Sequence, residues 1–243
     1  MTVSQSFPIH LGGRLRLSLD TREVGHVMIV RCNGRMVAGG ESELLSSHVA
    51  CLFRDRRAIV LHMGEVGFID SSGLGAIVRC LNTLRQSHGD LKLCSLPEQV
   101  RTVLEMSHLL KLFDIYESEE KAVAAFYGPN ARIERPARTG PSVLCVDRKG
   151  DVLDYLRGSL LGAEYDVQTT SHLGDALMLM RVTHFDLLVL GPGVPPAARE
   201  NVRAVSAGLP VIELGEHFST LDAGEAAAGL LQEIQSRLKT ETT

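Results

Sequence analysis

The chain of 243 residues contains no tryptophan, and its aromatic residues amount to only 5%. That scarcity argues against an aromatic-lined cage for a cofactor or a quaternary amine. Charge of one sign is also lacking. The formal net charge is −4, with the basic residues scattered, so there is no electrostatic footprint for a nucleic acid partner. No apolar run approaches the ~18 residues that a membrane span needs, which excludes direct membrane insertion from this sequence. The first residues, Met1-Thr2-Val3-Ser4-Gln5-Ser6, lack the charged head and apolar core of a signal peptide. A cytoplasmic protein is the resulting expectation.

Paired cysteines are missing too. Cys32, Cys51, Cys80, Cys94 and Cys145 are odd in number and never form Cys-x-x-Cys. They read as small buried hydrophobes in a reducing compartment. The nine histidines are dispersed without ligand spacing, so neither a metal nor a cofactor is expected. His62 follows an apolar run and reads as a polar residue at a strand end. Ser71 has no His or Lys at a recognisable triad spacing, and no Gly-x-x-x-x-Gly-Lys occurs. The chain is therefore not read as an enzyme, and no catalytic residue is assigned.

What is present suffices for real cores, since 44% of residues are hydrophobic and the length allows two ordinary domains. The most informative stretch is Phe68-Ile69-Asp70-Ser71-Ser72-Gly73-Leu74-Gly75. Before it, Ala58-Ile59-Val60-Leu61 is a short β-rich run that predicts a buried strand. After it, Leu74, Ile77, Val78, Leu81 and Leu84 recur at helical spacing and predict an amphipathic helix beginning at the glycines. The serines then fall at a helix N-terminus, where a hydroxyl can cap free N–H groups. A phosphate there would meet the positive end of the helix dipole. A plain capped helix start satisfies the same six residues.

Asp70-Ser71-Ser72-Gly73-Leu74-Gly75 resembles the signature of STAS domains of the bacterial anti-sigma factor antagonist type. Residues 15–127 follow that family's order of strand pair, helix, strand, motif helix, strand, helix, strand, helix. Cys94-Ser95-Leu96-Pro97-Glu98-Gln99-Val100 and Ser107-His108-Leu109-Leu110-Lys111-Leu112-Phe113 resemble its later segments. The resemblance implies phosphorylation of the serine after the aspartate, here Ser71, with Ser72 as second choice. It implies a partner that is both anti-sigma factor and serine kinase, with a serine phosphatase as a further candidate. Asp70, Ser71, Ser72, Gly73 and Leu74 would form the partner-binding surface, with Asp70 also orienting the kinase and Ser72 turning inward or capping the helix. The family often has an acid after a Gly-x-Leu turn near the second strand. Here Gly34-Arg35-Met36-Val37 offers Val37.

Apolar periodicity lapses between Tyr127 and Pro141, where three prolines, two glycines and three arginines gather. The expected organisation is a STAS domain over 1–127, a linker over 128–141 and a second domain over 142–243. The second domain alternates strand and helix: Val143-Leu144-Cys145-Val146-Asp147, a helix over 151–161, Asp166-Val167-Gln168-Thr169-Thr170, and a helix around 176–180. Asp186-Leu187-Leu188-Val189-Leu190, Pro210-Val211-Ile212-Glu213-Leu214 and a last helix over 223–238 follow. Such alternation predicts a parallel sheet with helices on both faces. The fold class is thus α/β twice: a mixed sheet with helices, then a parallel one.

This half resembles a truncated response-regulator receiver. Gly191 stands where receivers place the phosphoacceptor aspartate, and Arg148 follows Asp147 where an acidic pair would hold Mg²⁺. Gly215 replaces the expected hydroxyl, and the fifth strand with its lysine is missing. The resemblance implies a degenerate receiver whose crevice, by Asp147, Arg148 and Gly191, takes up no phosphate. Gly191-Pro192-Gly193-Val194-Pro195-Pro196 reads as a stiff loop there. The leading functional expectation is an anti-sigma factor antagonist that switches partners on serine phosphorylation. The alternative is a cytoplasmic STAS accessory subunit of a membrane lipid or anion transport complex.

Overall fold

A computed structural model describes residues 16–52, 57–128, 140–206, 208–220 and 222–240. The chain divides into two compact units, with the boundary between Arg135 and Pro136. Apart from its ends, the expected linker over 128–141 lies outside the described residues.

The first unit runs β1 (Ser18–Val24), β2 (Val27–Met36), α1 (Gly40–Leu52), β3 (Ala58–Ile69), α2 (Ser71–Gln86), β4 (Asp90–Cys94), α3 (Glu98–Met106), β5 (Asp114–Tyr116) and α4 (Glu119–Tyr127). β1 and β2 form a hairpin closed by Gly25 and His26; Gly25 has φ 61° and His26 does not share the positive φ. That is the turn in which glycine first matches the strand twist. β1 is antiparallel to β2, and β2 through β5 run parallel in the order β1-β2-β3-β4-β5, so the sheet is mixed.

The period of two along each strand divides its side chains between the two faces. Val30, Ile59, Leu61, Leu91 and Leu93 join Leu45 and Val49 of α1, six residues of α2, and Val100 and Leu104 of α3 in one core. Lys92, between Leu91 and Leu93, points the other way and lies 4.8 Å from the Phe126 ring of α4. It is buried with Asp90, so both charges need partners. Lys92 donates to Asp90 and Asp114 at 3.3 and 2.9 Å, and Arg85 donates to Asp90 at 3.1 Å.

β3 is the element that positions the motif, and it is far longer than its apolar start predicts. Its register against β2 shifts between Arg31 and Asn33 and again between Gly34 and Arg35. Each shift fits one extra residue into β3, beside Gly64 and Gly67. The strand therefore reaches Ile69, which pairs with Met36, and delivers Asp70 to its end. Two expectations are corrected here. His62 lies inside β3 rather than after it, and Gly34 (φ 110°) belongs to a bulged strand rather than to a turn.

The second unit runs β6 (Ser142–Val146), α5 (Gly150–Leu161), β7 (Asp166–Thr170), α6 (Leu173–Val182), β8 (Leu187–Leu190), α7 (Pro196–Val205), β9 (Val211–Glu213) and α8 (Ala223–Thr240). All four strands are parallel, in the order β7-β6-β8-β9. α5 and α8 supply Leu153, Leu156, Leu160, Leu230 and Ile234 to one core, against alternate residues Val143, Cys145, Leu187 and Val189. α6 and α7 pack on each other, covering the face that carries Leu144, Val146, Leu188 and Leu190. α7 was not visible in the periodicity. Pro195 and Pro196 suggested only a stiff loop, but proline is favoured at the first turn of a helix, where its missing N–H costs nothing. Among the described residues no strand follows β9.

Candidate functional site

The motif turn is organised by the carboxylate of Asp70. Its Oδ1 accepts hydrogen bonds from the N–H groups of Ser72 and Gly73, both at 2.9 Å, which makes Asp70 the N-cap of α2. Its Oδ2 accepts from the N–H of Ala38 at 2.9 Å, in the segment leading from β2 to α1. The Asp70 N–H donates to the Met36 carbonyl at 3.0 Å, and the Leu74 N–H donates to the Asp70 carbonyl at 2.9 Å. Five backbone contacts thus converge on one residue. The N–H of Gly73 chiefly, with those of Ala38 and Ser72 and the charge of Arg35, holds the Asp70 carboxyl below the usual carboxylate range.

The expectation that a serine caps this helix is therefore overturned. A carboxylate has two oxygens to offer and serves three donors, which one hydroxyl cannot do. The helix begins at Ser71 rather than at the glycines. Ser71 is exposed, Ser72 is half-buried, and Gly73 and Leu74 are buried. Gly73 is required by close approach: a Cβ there would lie 2.4 Å from the Met36 carbonyl oxygen. So two of the N–H groups at this helix start, those of Ser72 and Gly73, are already engaged by the Asp70 carboxylate.

Beside the turn, on the other face of the sheet from Met36 and Ile69, Arg35 pairs with Phe68. The guanidinium carbon lies 4.6 Å from the ring centre, and Phe68 is 45% exposed. Gln99 of α3 donates to the carbonyls of Val66 and Gly67 at 3.3 and 2.9 Å, tying down the bulged end of β3. Neither Arg35, Phe68 nor Gln99 was selected from the sequence. A charged residue and an aromatic ring at paired positions of two predicted strands would have been the signal, but the bulges hid the register. Six strand residues lie between His62 and Ile69, roughly 20 Å of extended chain. His62 is not brought to Ser71.

In the second unit, Asp147 directly follows β6 and is fully buried. Its Oδ1 accepts from the Lys149 N–H and its Oδ2 from the Gly193 N–H, both at 2.7 Å. A Cβ on Gly191 would lie 2.2 Å from Asp147 Oδ2. Asp147 and Gly191 are thus brought together as the sequence suggested, while Arg148 is exposed. The Asp147 carboxylate occupies the space beside Gly191 and Gly193. Arg199 of α7, missed along with its helix, closes the same loop. It donates to the carbonyls of Gly191, Val194 and Leu214 at 2.9, 2.9 and 3.1 Å, and pairs with Glu213.

Four cysteines are buried as expected, and burial pushes the thiols of Cys80, Cys94 and Cys145 up to about 11, 12 and 12. Cys51 is exposed, contrary to the reading that all five are core residues. No three His, Cys, Asp or Glu side chains cluster to hold a metal among the described residues. No helix among them is long and apolar enough to cross a membrane.

The family model "STAS domain" matches residues 18–122. Over 100 residues the chain is 35% identical to a Bordetella bronchiseptica protein named "Putative anti-sigma factor antagonist BtrV", covering 41% of this chain and 86% of that protein. The chain belongs to the STAS-domain anti-sigma factor antagonists. The anti-sigma F factor antagonist of Paenibacillus polymyxa is 29% identical over 111 residues, 45% of this antagonist and 94% of the relative. A crystal structure of a Thermotoga maritima protein described in the same words as the Bordetella one is 28% identical. It covers 43% of this antagonist and 91% of its own chain, with a TM-score of 0.41. Each match spans less than half of the present antagonist.

Proposed function

We propose that the first unit switches partners through Ser71. Unphosphorylated, it binds an anti-sigma factor that is also a serine kinase. The kinase transfers the γ-phosphoryl group of ATP to Ser71 Oγ, releasing ADP and the hydroxyl proton, and the modified surface lets go. The observation that carries this reading is the placement of Ser71. It is the exposed hydroxyl at the first position of α2, held out by a cap that does not use its own side chain. Ser72, half-buried, is the second choice. The partner surface is carried by Ser71 and Ser72, with Asp70 acting through the turn it holds; Gly73 and Leu74, expected on that surface, are buried and support it from beneath. A serine phosphatase would reverse the switch.

The second unit is proposed to be a degenerate receiver. Its parallel strand order and the acid after β6 support that reading. A glycine where the phosphoacceptor would stand, and the absence of a further strand after β9 among the described residues, support the loss of phosphotransfer.

The test is incubation of the full chain with a candidate anti-sigma kinase and ATP, followed by phosphopeptide mapping and affinity measurement. Label on Ser71 with loss of affinity is the expected result. Label confined to Ser72, or unchanged affinity after labelling, overturns the reading.

A further inference from the structure

Ser71, Gly75 and Arg79 follow one another at intervals of four along α2 and share one stripe of it. Ser71 and Arg79 are exposed and Gly75 is half-buried, so the stripe faces solvent. A Cβ on Gly75 would lie 3.3 Å from Arg79 Nη1. The Arg79 side chain therefore lies back along the helix, in the direction helical side chains lean, and occupies the space that glycine leaves open. Residues four apart on a helix have Cβ atoms about 5–6 Å from each other. The guanidinium over Gly75 is thus about one turn from the Ser71 side chain, within reach of a phosphate attached there.

Most of the other groups near Ser71 are already engaged. The N–H groups of Ser72 and Gly73 serve Asp70 Oδ1, and that of Leu74 serves the Asp70 carbonyl. Arg35 rests over Phe68, and its charge acts on Asp70. Arg79 makes no hydrogen bond or ion pair among the described residues. We propose that Arg79 is the cation that receives the Ser71 phosphate within the same chain, and that Gly75 is the gap through which it reaches.

The proposal rests on the reading of Ser71 as phosphoacceptor. Its consequence is local: the phosphate is drawn down onto α2 and its dianion is favoured at neutral pH, against the like charge of Asp70. An unpaired phosphoserine loses its second proton near pH 6. A guanidinium at this exposed, solvent-screened distance should lower that midpoint by about half a pH unit.

The experiment places phosphoserine at position 71 during translation of the full chain and follows its titration by ³¹P NMR. Arg79→Gln is expected to raise the midpoint by about half a unit relative to the parent. Gly75→Ala, which puts a methyl group in the path of the guanidinium, should raise it by less. Alanine is also the better helix former, so that variant keeps the helix. Superimposable titrations of the parent and Arg79→Gln overturn the assignment. So does a shift produced by Arg35→Gln and not by Arg79→Gln. The functional reading fails separately, if the kinase leaves Ser71 unlabelled, and the titration does not depend on that result.

Discussion

The carboxylate of Asp70 spans 32 residues of sequence to accept the backbone N–H of Ala38 at 2.9 Å. One side chain thereby caps α2 and fixes the segment between β2 and α1 against it. Asp70→Ala removes the cap, worth about 0.5–2 kcal/mol, and leaves the Ala38 N–H to find water. We expect a loss of about 1–3 kcal/mol in urea unfolding. Asp70→Asn should recover only part of it, because an amide turned to accept from Ser72 and Gly73 presents NH₂ to the Ala38 N–H. The carboxyl is held below its usual range in the folded state. Its contribution is therefore present above the unfolded value of about 3.9 and is lost as pH falls through the depressed folded value. A parent and an Asp70→Asn variant whose stabilities fall in parallel through that range would contradict this account.

Ser71→Asp is expected to weaken binding of the anti-sigma partner, and Ser71→Ala to bind in a manner that ATP does not reverse. Both should melt close to the parent. Asp70, not Ser71, caps the helix, so an exposed substitution at 71 should stay within about 0.5 kcal/mol. Loss of binding by Ser71→Asp would then be a matter of charge and shape at the surface rather than of folding. The paired measurement is thermal melting and affinity, with and without ATP. Tight binding by a normally folded Ser71→Asp would sink the phosphoswitch.

The element order of the first unit was legible because its strands and helices announce their periods, and the family motif placed the site. The capping of α2, expected of a serine, falls to Asp70. In the sequence, Asp70 and the two serines are equally good caps, and the point where β3 ends, one residue before Asp70, decides between them. The register that leads to that end contains two shifts, which leave no pattern beyond Gly64 and Gly67. Arg35 facing Phe68 was hidden for the same reason. In the second unit, the burial of Asp147 could not be read, since an acid after a strand is as compatible with an open crevice as with a filled one. The donors that hold the carboxylate there, the Lys149 and Gly193 N–H groups, are backbone groups with no sequence signature at all.

His48 of α1 bonds through Nε2 to the Thr21 hydroxyl of β1 at 2.6 Å. Burial pushes its imidazole below the ordinary histidine value. The unfolded chain then binds more protons than the folded one just below pH 6.5, so stability falls as pH drops from that value towards the lowered folded one. His48→Gln should keep a bond to Thr21 and flatten the stability profile in this window. Unfolding free energies measured at pH 7 and at pH 5.5 check it. An equal pH dependence in parent and variant would assign the effect to another group.

Gly191→Asp would restore the side chain that a receiver uses, yet it should yield a weaker fold and no phosphate. The new Cβ would start 2.2 Å from Asp147 Oδ2, and the new carboxylate would enter a buried site that already holds one. Two carboxylates sharing such a site cannot both stay ionised. Asp147 cannot simply swing away, since its oxygens satisfy the N–H groups of Lys149 and Gly193. Asp147→Ala alone should also destabilise, by about 1–3 kcal/mol, because it leaves those donors unpaired. The two changes should not add. In the double variant the side chain at 191 has room and can accept from at least one of the two N–H groups. A coupling of about 1–3 kcal/mol between the sites is therefore expected. Urea unfolding of the full chain and its three variants measures this coupling. Incubation with acetyl phosphate, followed by assay for a hydroxylamine-sensitive label, tests for phosphotransfer. A Gly191→Asp variant as stable as the parent would refute the crowding, and a label on Asp at 191 would show that the crevice can open.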